Sequence, residues 1–106
     1  MKRNIVVLVT CGTMKDAIRI ADALVRRRMA ACVNVFDSPV RSIYRWKGRV
    51  EAAKEHLLVI KTSQKRFPAL EREIRELHSY DVPEIIALPI MAGAKAYLRW
   101  LEDSVR

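Results

Sequence analysis

The chain has 106 residues, 51% of them hydrophobic, and a formal net charge of +8. That length holds one domain over 1–106 and excludes two separate cores, while the apolar content excludes a disordered chain. No apolar run reaches the ~18–20 residues a membrane-spanning helix needs, and the basic residues are dispersed rather than gathered into one binding stripe.

The first predicted element is a strand over 5–11, a near-continuous aliphatic run of the kind covered on both faces. The basic start Met1-Lys2-Arg3 ahead of it resembles the front of an export signal, but the apolar stretch 5–9 is too short and Thr10-Cys11-Gly12 is a poor cleavage site. The expectation is therefore a cytoplasmic protein. Ala17, Ile20, Ala21, Leu24 and Val25 recur at helical spacing, with Thr13 and Asp16 as start signals and Arg26-Arg27-Arg28 suited to the negative end of the helix dipole. A strand over 31–46 and a return strand over 49–61 flank a tight turn at Lys47-Gly48. A second helix has Pro68 in its first turn and Phe67, Leu70, Ile74 and Leu77 as its apolar stripe. Glu71 with Arg75 and Arg72 with Glu76 are spaced as i,i+4 ion pairs on its outer face. A strand over 83–91 and a last helix from about 94 complete the order. The fold class is α+β, a ferredoxin-like split β-α-β (βαββαβ) with a long central hairpin and a C-terminal helix.

The hairpin implies a partner. A continuous strand over 31–46 would run about 50 Å at ~3.3 Å per residue. A chain of this size has a radius of gyration near ~13 Å, hence a diameter of ~34 Å as a sphere. Pro39 supplies a place to bend, yet Ile43, Tyr44, Trp46 and Val50 still crowd the tip. A projecting ribbon with such residues recruits other chains unless it is covered. A symmetric homo-oligomer covers it.

Several motifs in order carry a resemblance. They are Val9-Thr10-Cys11, Ala30-Ala31-Cys32-Val33-Asn34, the run from Val40 to Trp46, Lys61-Thr62, Arg66-Phe67-Pro68 and the run from His78 to Pro89. The chain resembles the CutA-type divalent-cation tolerance family over nearly its whole length. The resemblance implies a homotrimer, kinship in architecture with PII-type signalling trimers, and binding of copper(II) or another divalent cation, with no organic cofactor. It also implies a cleft between subunits lined or bordered by Tyr44, Trp46, Glu51, Lys61, Tyr80, Asp81 and Glu84. The chain departs from the family pattern at Gly12 and Ser79, where proline is common, at the basic tip residues Lys47, Arg49 and Lys54, and at His56, usually apolar.

Copper favours thiolate and imidazole donors, and the chain offers Cys11, Cys32, His56 and His78. No pair has a local zinc-type spacing, so a site has to be assembled in space. Cys11 ends the first strand and His78 precedes the fourth, which runs antiparallel beside it. They are the favoured pair, with Cys32 and His56 as weaker candidates. Both cysteines also read as simple buried thiols. The leading function is divalent-cation tolerance, and the alternative is a PII-like small-molecule sensor using the intersubunit cleft. Nucleic acid is not an expected partner, because the central strands lack stacking aromatics, and neither is a membrane. No nucleophile–base pair or phosphate loop marks an enzyme.

Overall fold

A computed structural model describes residues 4–106; the basic start at 1–3 lies outside the described residues. Strand β1 (Asn4–Cys11) leads through Gly12 into helix α1 (Met14–Arg26). Thr13 caps that helix, its hydroxyl accepting from the Asp16 N–H at 3.1 Å. Two residues of the arginine run at the other end make ion pairs: Arg26 with Asp22 and Arg27 with Glu73. The following elements are β2 (Cys32–Val35), β3 (Val40–Trp46), β4 (Arg49–Ser63), a 3₁₀ turn at Gln64–Arg66, α2 (Phe67–Leu77), β5 (Ile85–Pro89) and α3 (Lys95–Ser104).

The sheet is antiparallel at every pairing, with the order β2-β4-β1-β5 and β3 joined to β4. Alternation along β1 divides its residues between two faces. Ile5, Val7, Val9 and Cys11 face α1 and α2, and pack with Leu58, Ile60, Ile20, Leu24, Leu70 and Ile74 as the main core. Asn4 points to the opposite face, where its side-chain amide donates to Glu102 of α3 at 3.1 Å. There Leu101 and Val105 form a smaller cluster with Ala31.

The strand expected over 31–46 is broken in two. The register places Val35 opposite Leu58 and Val40 opposite Glu55. Four residues, 36–39, thus face only two on β4, and the extra length bulges out at Pro39. Proline has no N–H to give the ladder, so the break falls where pairing would have been lost anyway. His56 occupies the gap and its Nδ1 lies 2.9 Å from the Phe36 carbonyl. Beyond this point β1 has ended, since its last pair is Cys11 with His56. Residues 49–55 therefore pair with β3 alone and form a free two-stranded ribbon. Lys47 and Gly48 turn it with φ of 51° and 78°, the left-handed values a two-residue hairpin turn requires. The ribbon draws the molecule out to 44 × 25 × 25 Å.

Two smaller expectations are corrected. The last strand covers only Ile85–Pro89, not 83–91. Among the described residues neither Glu71–Arg75 nor Arg72–Glu76 closes to ion-pair distance. Exposed pairs of this kind gain ~0.3–0.5 kcal/mol at best, against the entropy of two long side chains.

Candidate functional site

The junction after α2 turns back across the end of β1. His78 is the residue just past the helix, and its N–H still bonds Ile74 O at 2.8 Å. Its ring is buried, with Nε2 at 2.8 Å from the Thr10 carbonyl and Nδ1 at 3.1 Å from the Tyr80 N–H. A carbonyl only accepts and an amide N–H only donates, so the ring proton sits on Nε2. Both ring nitrogens are thereby occupied. Tyr80 packs against the same ring at a centroid distance of 4.6 Å. Its hydroxyl donates to Glu55 Oε2 at 2.9 Å. Burial first, and then the Glu55 hydrogen bond and charge, push the Tyr80 hydroxyl up to about 12.

Gly12 is part of this arrangement. A Cβ there would stand 3.0 Å from the Tyr80 hydroxyl oxygen. The small residue lets the tyrosine lie across the end of the strand and reach β4.

A cavity of about 600 Å³ opens between this junction and the ribbon. It is lined by Thr10, Ser42, Ile43, Tyr44, Trp46, Glu55, Tyr80, Asp81, Val82 and Glu84. Five of the seven cleft residues expected from sequence meet here: Tyr44, Trp46, Tyr80, Asp81 and Glu84. Glu51 stands directly opposite Tyr44 on the ribbon and shares its face. Lys61 is not brought to this cavity: it lies farther along β4, across from Cys32 and Val6, and donates to Asn34 Oδ1. A second cavity of about 600 Å³ runs along α2 past Arg72, Arg75 and Ser79, and Tyr80 and Asp81 border both.

Glu55 is the cleft residue that sequence reasoning missed. It is buried to 8% exposure although it belongs to the base of the free ribbon, and the Tyr80 hydroxyl donates to it. No local pattern marks it; only the pairing of Val40 with Glu55 and the approach of residue 80 reveal it.

The donors proposed for copper are placed as follows. Cys11 is fully buried in the main core. Burial, then the charges of Asp16 and Glu55, push its thiol up to about 11. His78 stands beside it, bonded to Thr10, with no free nitrogen. His56 lies across from Cys11 with Nδ1 engaged at the bulge. Cys32 is on β2, 3.5 Å from the Tyr97 hydroxyl, and that contact raises Tyr97 above its ordinary value. Both cysteines are free thiols. Among the described residues no three His, Cys, Asp or Glu side chains converge as a metal-binding group. As folded in one chain, Cys11 and His78 therefore do not fit a metal ion: one is protonated and enclosed, the other fully hydrogen-bonded. Of the acids that line the cleft, Asp81 and Glu84 are exposed and Glu55 is buried.

Comparison with known proteins follows the same lines. The sequence pattern described as CutA1 divalent ion tolerance protein matches residues 5–104. The divalent-cation tolerance protein CutA of Thermus thermophilus is 48% identical over 99 residues, which is 93% of this chain and 95% of that protein. A solved structure from the same organism superposes with a TM-score of 0.94 at 46% identity, covering 97% of this chain and 99% of that one. The chloroplastic CutA protein of Arabidopsis thaliana is 42% identical over 97% of this chain, and the chain spans 56% of its length. A structure described as the periplasmic divalent cation tolerance protein CutA from Archaeoglobus fulgidus gives a TM-score of 0.93 at 36% identity, covering 97% of this chain and 99% of that one.

Proposed function

The chain belongs to the CutA1 divalent ion tolerance family, and from that premise we propose a non-enzymatic divalent-cation tolerance protein, acting as a homotrimer of ferredoxin-like subunits. In this reading copper(II) or another divalent cation is attracted to the acid-lined cleft at the base of the ribbon. The observation that carries it is that Glu55, Asp81 and Glu84 line one cavity of a chain with a net charge of +8. Against that background a cluster of carboxylates inverts the local field and gathers cations.

The assembly is supported by what one chain leaves uncovered. Ile86 and Leu88 on β5 are 50% and 46% exposed, on the sheet face opposite the main core. With Ile43 and Val50 of the ribbon they are large apolar side chains that one chain leaves uncovered, the kind of surface that marks a contact site when it is contiguous. The ferredoxin-like reading is supported by the strand order when β2 and β3 are counted as two halves of one strand. A cytoplasmic location is supported by the two free thiols, which a reducing compartment preserves. Among the described residues no helix is long and apolar enough to cross a membrane. None of the relatives described above carries a PII-type description.

Calorimetric titration of copper(II) into the protein tests the site. Asp81→Asn with Glu84→Gln is expected to weaken binding by at least about tenfold, since each exposed charge within ~4 Å of a cation is worth ~1 kcal/mol or more. An unchanged isotherm, together with loss of binding on Cys11→Ser, would move the site to the thiol.

A further inference from the structure

The ribbon has two chemically different faces. Side chains directly opposite each other in an antiparallel pair share a face. Tyr44 with Glu51 and Val40 with Glu55 therefore belong to the face that borders the cleft. The other face presents Arg41 opposite Lys54, then Ile43 opposite Ala52, then Arg45 opposite Val50. Two cations directly across a ladder repel and cost stability unless an anion lies over them. Among the described residues none of Arg41, Arg45 and Lys54 has an acidic partner within ion-pair distance. On the same face Val50 is 67% exposed, and Ile43, 69% exposed, also borders the chain's own cleft at the ribbon edge.

The complementary surface is on the same molecule. Asp81 and Glu84 are exposed, and among the described residues neither makes an ion pair. The aromatic rings of Tyr44 and Trp46 stand beside them in the cleft. One chain does not bring the two surfaces together, because its cations stand on the ribbon face opposite Glu51 and Glu55. Neither Arg41, Arg45 nor Lys54 lines that cavity. A second copy can bring them together.

We propose that the basic face of each ribbon docks on the acid-lined cleft of the next copy, so that Arg41 and Arg45 complete a neighbour's site and Val50 is covered against it. The contact is head-to-tail, with different patches meeting, which is the kind that closes into a ring. The inference rests on the homotrimer proposed above and adds the partner of the cleft. It also gives the cleft a resident cation from the protein itself. A divalent ion entering there competes with the neighbour's guanidinium groups, so cation binding and assembly oppose each other.

Charge exchange tests this, read by native mass spectrometry across a dilution series. Arg41→Glu with Arg45→Glu should raise the concentration at which the assembly falls apart by at least about tenfold, because like charges would then face each other. Asp81→Lys with Glu84→Lys should do the same. All four substitutions in one chain should restore assembly to near the original, since each interface again pairs opposite charges. Circular dichroism of each variant separates lost assembly from lost folding, and these positions are exposed. In the same series, Arg41→Gln with Arg45→Gln should bind copper(II) at least about fivefold more tightly. A monomeric unsubstituted protein overturns the oligomer itself. An oligomer indifferent to the reversals, or four substitutions no better than two, overturns the docking and leaves the oligomer standing.

Discussion

Removing one oxygen atom at Tyr80 probes the whole junction. Tyr80→Phe deletes the hydroxyl that donates to Glu55 Oε2 at 2.9 Å and leaves that carboxylate enclosed at 8% exposure. A hydrogen bond to a charged group contributes ~1.5–3 kcal/mol net. Tyr80 is 36% exposed, so water competes for the carboxylate, and the expected loss is smaller, ~1–1.5 kcal/mol. For a domain near 100 residues this lowers Tm by roughly 4–12 °C. Urea and thermal melts of wild type, Tyr80→Phe, Glu55→Ala and the double variant give the coupling directly, all at one fixed protein concentration so that the proposed assembly contributes equally to each. The coupling between the two positions should be ~1 kcal/mol. Additivity within ~0.3 kcal/mol would show that the contact stabilises nothing and that the junction is held by His78 alone.

Two further outcomes follow from the same geometry. Gly12→Ala places a Cβ 3.0 Å from the Tyr80 hydroxyl oxygen; it should cost ~1 kcal/mol in wild type, as overpacking does, and distinctly less in Tyr80→Phe, where the clashing oxygen is gone. Equal cost in both backgrounds refutes that reading. The Cys11 thiol is raised from 9.0 to about 11 by burial first and by Asp16 and Glu55 next. The unfolded chain therefore loses this proton before the folded one does. The stabilisation is whole below pH 9 and is lost as pH rises toward 11, by about 2–3 kcal/mol at ~1.36 kcal/mol per unit. Denaturant unfolding of wild type against Cys11→Ala at pH 8 and pH 11 reads it as a narrowing gap between the two proteins; a gap independent of pH refutes the enclosed thiol.

Local patterns in the sequence were sufficient for most elements. Thr13 and Asp16 start α1 as expected, and Pro68 opens α2, because caps and first-turn residues act through backbone groups two or three positions away. The aliphatic run of β1 is buried as its composition implies. The bulge at 36–39 was only half legible. Pro39 marks a weak point in pairing, but that four residues oppose two depends on where β4 stops offering partners, and β4 is another strand. The cleft shows the same limit. Tyr80, Asp81 and Glu84 stood out as a cluster in one short segment, and Tyr44 and Trp46 as aromatics at a ribbon tip. Glu55, the buried acid that joins the two groups, looks like an ordinary charged residue on a polar strand. Lys61 carried an expectation for the cleft that the fold does not meet in one chain, because β4 is long enough to hold it at the other end of the sheet.

The amino-acid order by itself determined the alternation of strands and helices, the family, and a projecting arm with apolar residues at its tip, since these depend on periodicity, length and local backbone chemistry. Tertiary structure alone decided that His78 has both nitrogens occupied, that Cys11 is sealed in the core, and that the ribbon turns its cations away from its own acids. Those properties depend on which atoms lie within about 3 Å across the fold, and residues 10 and 78, or 55 and 80, meet only after the sheet has closed.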